Sequence, residues 1–142
     1  MTKNAKSLRS AAERACEWYA RDLLSCVITR RAVQTRFQSV DFFAADCVGK
    51  RSDGSHVYIQ ATAGQYEAVR TRRRKLEAVP WHESDTVLLL QLVQTEDPAN
   101  ARRKKYFFRV HRLINGDWSV QEDAHEIPRE WFKAWKGNDN AN

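Results

Sequence analysis

The sequence predicts an α/β domain: a mixed central sheet flanked by helices, with a C-terminal β-hairpin and a short final helix. Three observations carry this reading. Residues 7–24 repeat apolar side chains at helical spacing, and residues 56–62 alternate with the two-residue period of a strand. Residues 86–93 are almost continuously apolar, as in a strand covered on both faces.

Residues 1–6 are polar and read as frayed. Ser7 is placed to cap a helix running to about Leu24, with Leu8, Ala11, Ala12, Ala15, Trp18, Tyr19 and Leu23 on its apolar stripe. Residues 26–36 read as the first strand, with Arg30, Arg31 and Arg36 in or beside it. Residues 37–48 read as the next strand, with a bulge. In the third, residues 56–62, Val57, Ile59 and Ala61 share one face, while His56, Tyr58, Gln60 and Thr62 share the other. A loop, Ala63-Gly64-Gln65, leads to a helix over residues 66–79 whose apolar face is sparse: Tyr66, Val69, Leu76 and Val79. Pro80 ends it. Residues 81–85 are a loop before the strand at 86–93, and residues 95–101, with Pro98 and Asn100, read as another. Residues 106–113 form a strand that Asn115-Gly116 turns back into residues 118–120. This hairpin either extends the sheet or packs beside it. Ile127-Pro128 opens a short helix in which Trp131, Phe132 and Trp135 close the core. Residues 137–142 read as a disordered tail, leaving one domain over residues 1–136.

The chain has 142 residues and 42% hydrophobic content, with five Trp, four Tyr and six Phe, enough for one core. No apolar run approaches the length of a membrane span, and no apolar signal segment follows the polar start. The expectation is a cytoplasmic protein with no membrane partner. Cys16, Cys26 and Cys47 are odd in number and at no metal spacing, so they read as buried, reduced thiols. The net charge of +6 favours a polyanionic partner, most simply nucleic acid. The cations are clustered. Arg70, Arg72, Arg73, Arg74 and Lys75 lie in the second helix, and Arg102, Arg103, Lys104 and Lys105 precede the C-terminal hairpin. With Arg30 and Arg31 they form the candidate nucleic-acid surface, because Arg and Lys neutralise phosphates without reading sequence. Five cations in six positions cannot share one helical face, so some are solvated and others approach the polar face of the sheet. His111 could serve as a general base or a phosphate contact, but for want of an acidic neighbour in sequence it reads as a structural or surface residue. The chain has no P-loop, no dinucleotide-binding glycine fingerprint and no nucleophile elbow.

The hairpin over residues 46–62 organises the rest. A two-residue Asp53-Gly54 turn would set Asp46 opposite Ala61, on the apolar face. A three-residue Ser52-Asp53-Gly54 loop with a left-handed Gly54 sets it opposite Gln60 instead, and gathers a polar cluster. The second register is the expected one.

An Asp on one strand and an acid-x-Lys on the next form the core motif of the PD-(D/E)XK nucleases, the superfamily of many restriction enzymes and of archaeal Holliday junction resolvases. Ala45-Asp46 resembles its Pro-Asp, and Gln60-Ala61-Thr62 resembles its (Asp/Glu)-x-Lys. Gly64 and the basic helix after it are similar to a branch carrying Gln-x-Thr, and the similarity spans residues 7–93. The resemblance implies a restriction-endonuclease-like fold and a metal-dependent, structure-directed DNA endonuclease, using Mg²⁺ or Mn²⁺ on branched or duplex DNA. It makes Asp46, Gln60, Thr62 and Glu13 the catalytic set, with Asp46, Gln60 and Glu13 as metal ligands. Gln60 would ligate through its carbonyl oxygen without bringing charge, and Thr62 cannot replace the charge of a Lys. Glu17 is the substitute for Glu13, and Asp41 for Asp46. Glu67 is a candidate migrated acid, and one of Arg70, Arg72, Arg73, Arg74 or Lys75 a migrated cation. Resolvase-like members are dimers, so a homodimer would suit a branched substrate. Two other readings stay open: a nuclease-fold protein that binds nucleic acid without cutting, and a protein-interaction domain.

Overall fold

The computed structural model describes residues 5–34, 39–40 and 44–131. Helix α1 (Ala5–Trp18) begins two residues before the expected cap, so Ser7 lies inside the helix. Ala11, Ala12, Ala15 and Cys16 are fully buried, and these small side chains let the helix lie close on the sheet. A π-helical turn (Tyr19–Leu23) follows, closed by the Leu24 N–H on the Tyr19 carbonyl at 3.1 Å. Trp18, Tyr19 and Ala20 are consecutive and all buried, which a single α-helical stripe cannot provide; the wider turn can.

Ser25, at φ +58°, reverses the chain into β1 (Cys26–Arg31). The expected strand over 26–36 ends there. Val33–Gln34 (β2) pairs instead with Ser39–Val40 (β3), in a separate two-stranded ribbon. The expected strand over 37–48 is likewise broken, because Ala44 sits at φ +69°, outside extended geometry. Strand β4 (Cys47–Arg51) starts only after Asp46. Arg36 and Asp41 lie outside the described residues.

The main sheet has the order β1-β4-β5-β6-β7-β8, with β5 (His56–Thr62), β6 (Thr86–Asp97), β7 (Asn100–Ile114) and β8 (Asp117–Glu122). All neighbours are antiparallel except β5 and β6, which are parallel and joined through α2 (Tyr66–Glu77). The sheet is therefore mixed, as expected of the α/β class. The loop expected at 95–101 is almost entirely strand. Asp97 Oδ1 accepts the Ala99 N–H at 2.9 Å and Asn100 Oδ1 accepts the Arg102 N–H at 3.1 Å, so Pro98-Ala99 suffices to reverse the chain. At the next turn Asn115 (φ +51°) and Gly116 (φ +84°) are both left-handed, which suits a tight hairpin, and β8 extends the sheet.

Successive residues of β6 feed opposite faces. Leu88, Leu90 and Leu92 join Val57, Ile59, Ala61 and Phe108 under α1. Val87 and Leu89 join Leu76 under α2. That two-sided burial explains the continuous apolar run in the sequence. Trp131 packs on the α1 side, whereas Phe132, Trp135 and residues 137–142 lie outside the described residues. The sheet ends in β1 and β8. At the β1 edge the register shifts around Val27, and Val27 and Ile28 stand exposed. Among the described residues no helix is long and apolar enough to cross a membrane.

Candidate active site

The β4–β5 hairpin takes the three-residue register. Cys47 pairs with Ile59 and Lys50 with His56, and Gly54 is left-handed at φ +89°. Asp53 Oδ1 secures the loop by accepting the Ser55 N–H at 2.9 Å and the Ser55 hydroxyl at 2.7 Å. The ladder ends at Cys47, and Asp46 leaves regular register: its N–H donates to the Ile59 carbonyl and its carbonyl accepts the Ala32 N–H, both at 2.7 Å.

Beyond Cys47 there is no β4 residue to pair with Ala61. The N–H and C=O of one strand residue point to the same side, so both Ala61 groups face the vacated edge. Two side chains take the place of the missing strand. Asp46 Oδ2 accepts the Ala61 N–H at 2.8 Å, and Arg72 Nε donates to the Ala61 carbonyl at 3.2 Å. Burial pushes the Asp46 carboxyl up to about 6. The Ala61 N–H pulls it back, the charge of Glu13 adds to the rise, and Arg72 and Arg9 oppose it. The Arg72 guanidinium is in turn lowered, by burial first and then by Arg9, while Asp46 and Glu13 hold it up. Asp46, Glu13, Arg72 and Arg9 thus form one electrostatic group, drawn from the hairpin, α1 and α2.

Of the two candidate helix acids, Glu13 is the one that acts on Asp46. It accepts a hydrogen bond from Arg9 Nε at 3.2 Å. Glu17 is committed to β1, accepting the Thr29 hydroxyl at 2.8 Å and lying 3.9 Å from Arg31. Gln60 is only 9% exposed, and its buried Oε1 has no hydrogen-bond partner. Thr62 is buried, and its hydroxyl accepts the Gly64 N–H at 3.0 Å. Glu67 is exposed at the start of α2. Among the described residues no group of three or more His, Cys, Asp and Glu side chains is arranged to hold a metal. Asp46 and Glu13 are two carboxylates in electrostatic reach of each other, and Gln60 Oε1, next along β5 to Ala61, is a buried acceptor lacking a donor.

The basic runs divide. On α2, Arg72 and Arg73 turn inward, while Arg70, Arg74 and Lys75 are exposed. Of the second run, Arg102 is exposed. Arg103 lies 3.8 Å from Asp97, Lys104 lies 3.5 Å from Glu96, and Lys105 lies 3.9 Å from Glu126. Arg30 is exposed on β1. His111 is buried on β7, on the sheet face that α2 covers, between Arg73 and Gln91. Sequence reasoning missed Arg9 and did not single out Arg72 among the five cations. The available signals were the four-residue spacing of Arg9 and Glu13, and the place of Arg72 on the stripe between Val69 and Leu76. No family model matches the chain, and no curated protein or solved structure does either.

Proposed function

We propose that the chain is a metal-dependent, structure-directed DNA endonuclease of the PD-(D/E)XK type, similar to Holliday junction resolvases. One observation carries the reading: a half-buried carboxylate and a guanidinium are pinned to the two backbone groups of Ala61, with Glu13 in electrostatic reach. Within the main sheet, the order of a helix, three strands (β1, β4 and β5), a helix and a fourth strand, β6, parallel to β5 supports it too, since a helix, three strands, a helix and a fourth strand is the order expected from the sequence.

Asp46 and Glu13 would hold Mg²⁺ or Mn²⁺ with the Gln60 carbonyl as a neutral ligand. Bound there, the ion supplies Lewis acidity and a more acidic water. The remaining work belongs to the chain. With its carboxyl raised to about 6, Asp46 is mostly ionised at neutral pH and so able to ligate a cation. Arg72, fixed by Ala61, presents its remaining N–H donors to charge developing on a phosphate, the task that Thr62 cannot perform. Arg70, Arg74 and Lys75 on the exposed side of α2 contact neighbouring phosphates, and a second copy of the chain would suit a branched substrate.

A second reading, binding without cutting, is favoured by Thr62, whose buried hydroxyl is already committed to Gly64. The test is cleavage of labelled duplex, single-stranded, flap and four-way-junction DNA with Mg²⁺, Mn²⁺ or EDTA, comparing wild type, Asp46→Ala and Arg72→Met. Metal-dependent cutting lost in Asp46→Ala is expected. Salt-sensitive binding with no cutting would select the second reading. Neither binding nor cutting would remove both and point to a protein partner.

A further inference from the structure

Helix α2 grips the sheet with few apolar side chains. Leu76 is its one fully buried residue among those described, clustered with Val87 and Leu89, and Val69 packs there only in part. Between Val69 and Leu76, at the helical spacing where apolar residues should complete the stripe, stand Arg72 and Arg73.

The two arginines reach opposite ways. Arg72 Nε donates to the Ala61 carbonyl on β5, beside Asp46. Arg73 Nη2 donates to His111 Nδ1 on β7 at 2.6 Å, and its guanidinium lies 4.9 Å from the centre of the Trp118 ring. Trp118 is itself tied to α2, its Nε1–H donating to Glu77 at 2.6 Å. An arginine only donates, so His111 Nδ1 is the acceptor and the imidazole proton sits on Nε2. That N–H donates to Gln91 Oε1 at 3.0 Å, and Gln91 Nε2 donates to the Gly64 carbonyl at 3.3 Å. The chain of donors therefore runs from α2 across two strands, and returns to the loop that leads into α2. Burial, and then the charges of Arg73 and Arg109, hold the His111 imidazole down to about 4, so the neutral form this chain requires is the one present at neutral pH.

A helix seated on one small apolar cluster is free to roll about its axis; one hydrogen-bonded on both flanks is not. We propose that Arg73 and His111 are positioning residues for the candidate site: their bond sets the roll of α2, and so holds the Arg72 guanidinium beside the Asp46 carboxylate. Adjacent helical residues are about 100° apart around the axis, so a roll that frees Arg73 from β7 also displaces Arg72 from Ala61. The bearing of this bond on turnover rests on the nuclease reading above; the placement of Arg72 does not.

The experiment is hydrogen exchange of the Arg72 Nε–H followed by NMR, with the backbone amides of β5 and β6 as internal controls. The variants are Arg73→Met, Arg73→Lys, His111→Phe and His111→Asn. In Arg73→Met and His111→Phe the Arg72 Nε–H is expected to exchange about tenfold faster or more, with the control amides unchanged. Arg73→Lys keeps a donor and His111→Asn keeps an acceptor, so both should stay near wild type. Unchanged Arg72 exchange in Arg73→Met would overturn the proposal. So would equal loss in all four variants together with the control amides, which would mean general loosening. Should His111→Phe fail to fold, Arg73→Met decides alone. Cleavage assays on the same variants keep the two claims apart: an inactive wild type removes the nuclease reading and leaves the exchange result standing.

Discussion

Asp46 and His111 titrate in overlapping ranges and act on stability with opposite signs. The Asp46 carboxyl is raised from 3.8 to about 6, so the folded state holds its proton more tightly. Its contribution is full below pH 3.8 and is lost as pH rises through 6. The His111 imidazole is lowered from 6.5 to about 4, so its contribution is full above pH 6.5 and is lost as pH falls through 4. Each is worth on the order of 3 kcal/mol, and between pH 4 and 6 they largely cancel. Asp46→Asn should therefore lose stability on acidification, while His111→Asn should gain it. Urea unfolding midpoints from pH 4 to 7 check this, and parallel profiles for the two variants would refute it. Gly49 gives a steric counterpart. A Cβ there would lie 2.5 Å from Cys26 Sγ, so Gly49→Ala should cost about 1–3 kcal/mol, with part recovered in the Gly49→Ala, Cys26→Ala double variant. The register of the β4–β5 hairpin was legible in the sequence, because a left-handed Gly54 suits a three-residue loop. The commitment of Glu17 was not, since Thr29 on β1 reaches it only after the chain has reversed at Ser25, and that of Thr62 is a local turn onto Gly64 that competes with any role at the site.

Helix α2 shows how an element can be read for type and missed for purpose. Its helical period was visible, and so was the thinness of its apolar face. The gap at Arg72 and Arg73 looked like a weak stripe. It is a match to the sheet beneath, which is polar where the arginines land: Ala61 and Asp46 on one flank, His111 and Gln91 on the other. That match joins residues far apart in sequence, so no local window contains it. The failed strand over 37–48 has a local cause, the left-handed Ala44, which nothing in its side chain announces. Because Leu76 is the chief apolar anchor of α2, Leu76→Ala should cost about 2–5 kcal/mol. The loss should fall mainly on α2, with faster exchange of its amides than of those in α1. Uniform acceleration across both helices would show that α2 is not held separately.

Across the whole molecule the net charge of +6 is unevenly available. Arg103, Lys104 and Lys105 have carboxylates within reach, whereas among the described residues no carboxylate pairs with Arg70, Arg74 or Lys75. If DNA is the partner, replacing Arg70, Arg74 and Lys75 by Gln should weaken duplex binding and reduce the slope of log K against log salt by about 2–3. The same change at Arg103, Lys104 and Lys105 should reduce it less. Fluorescence anisotropy across a salt series checks the order, and equal reductions would sink it. The α/β class was legible because one long apolar strand and one amphipathic helix suffice to announce it. The length of the β6–β7 pairing was not, since its turn relies on Asp97 and Asn100 bonding to nearby backbone. That long pairing also bears on the order of assembly. Its strands are neighbours in sequence, so it can zip within microseconds of chain collapse. The parallel β5–β6 contact must wait for the loop spanning α2 to close. Asp46 and Ala61 can meet in the β4–β5 hairpin alone, whereas Arg72 joins them only when α2 folds back on the sheet, so the candidate site is assembled in two steps and the guanidinium arrives second.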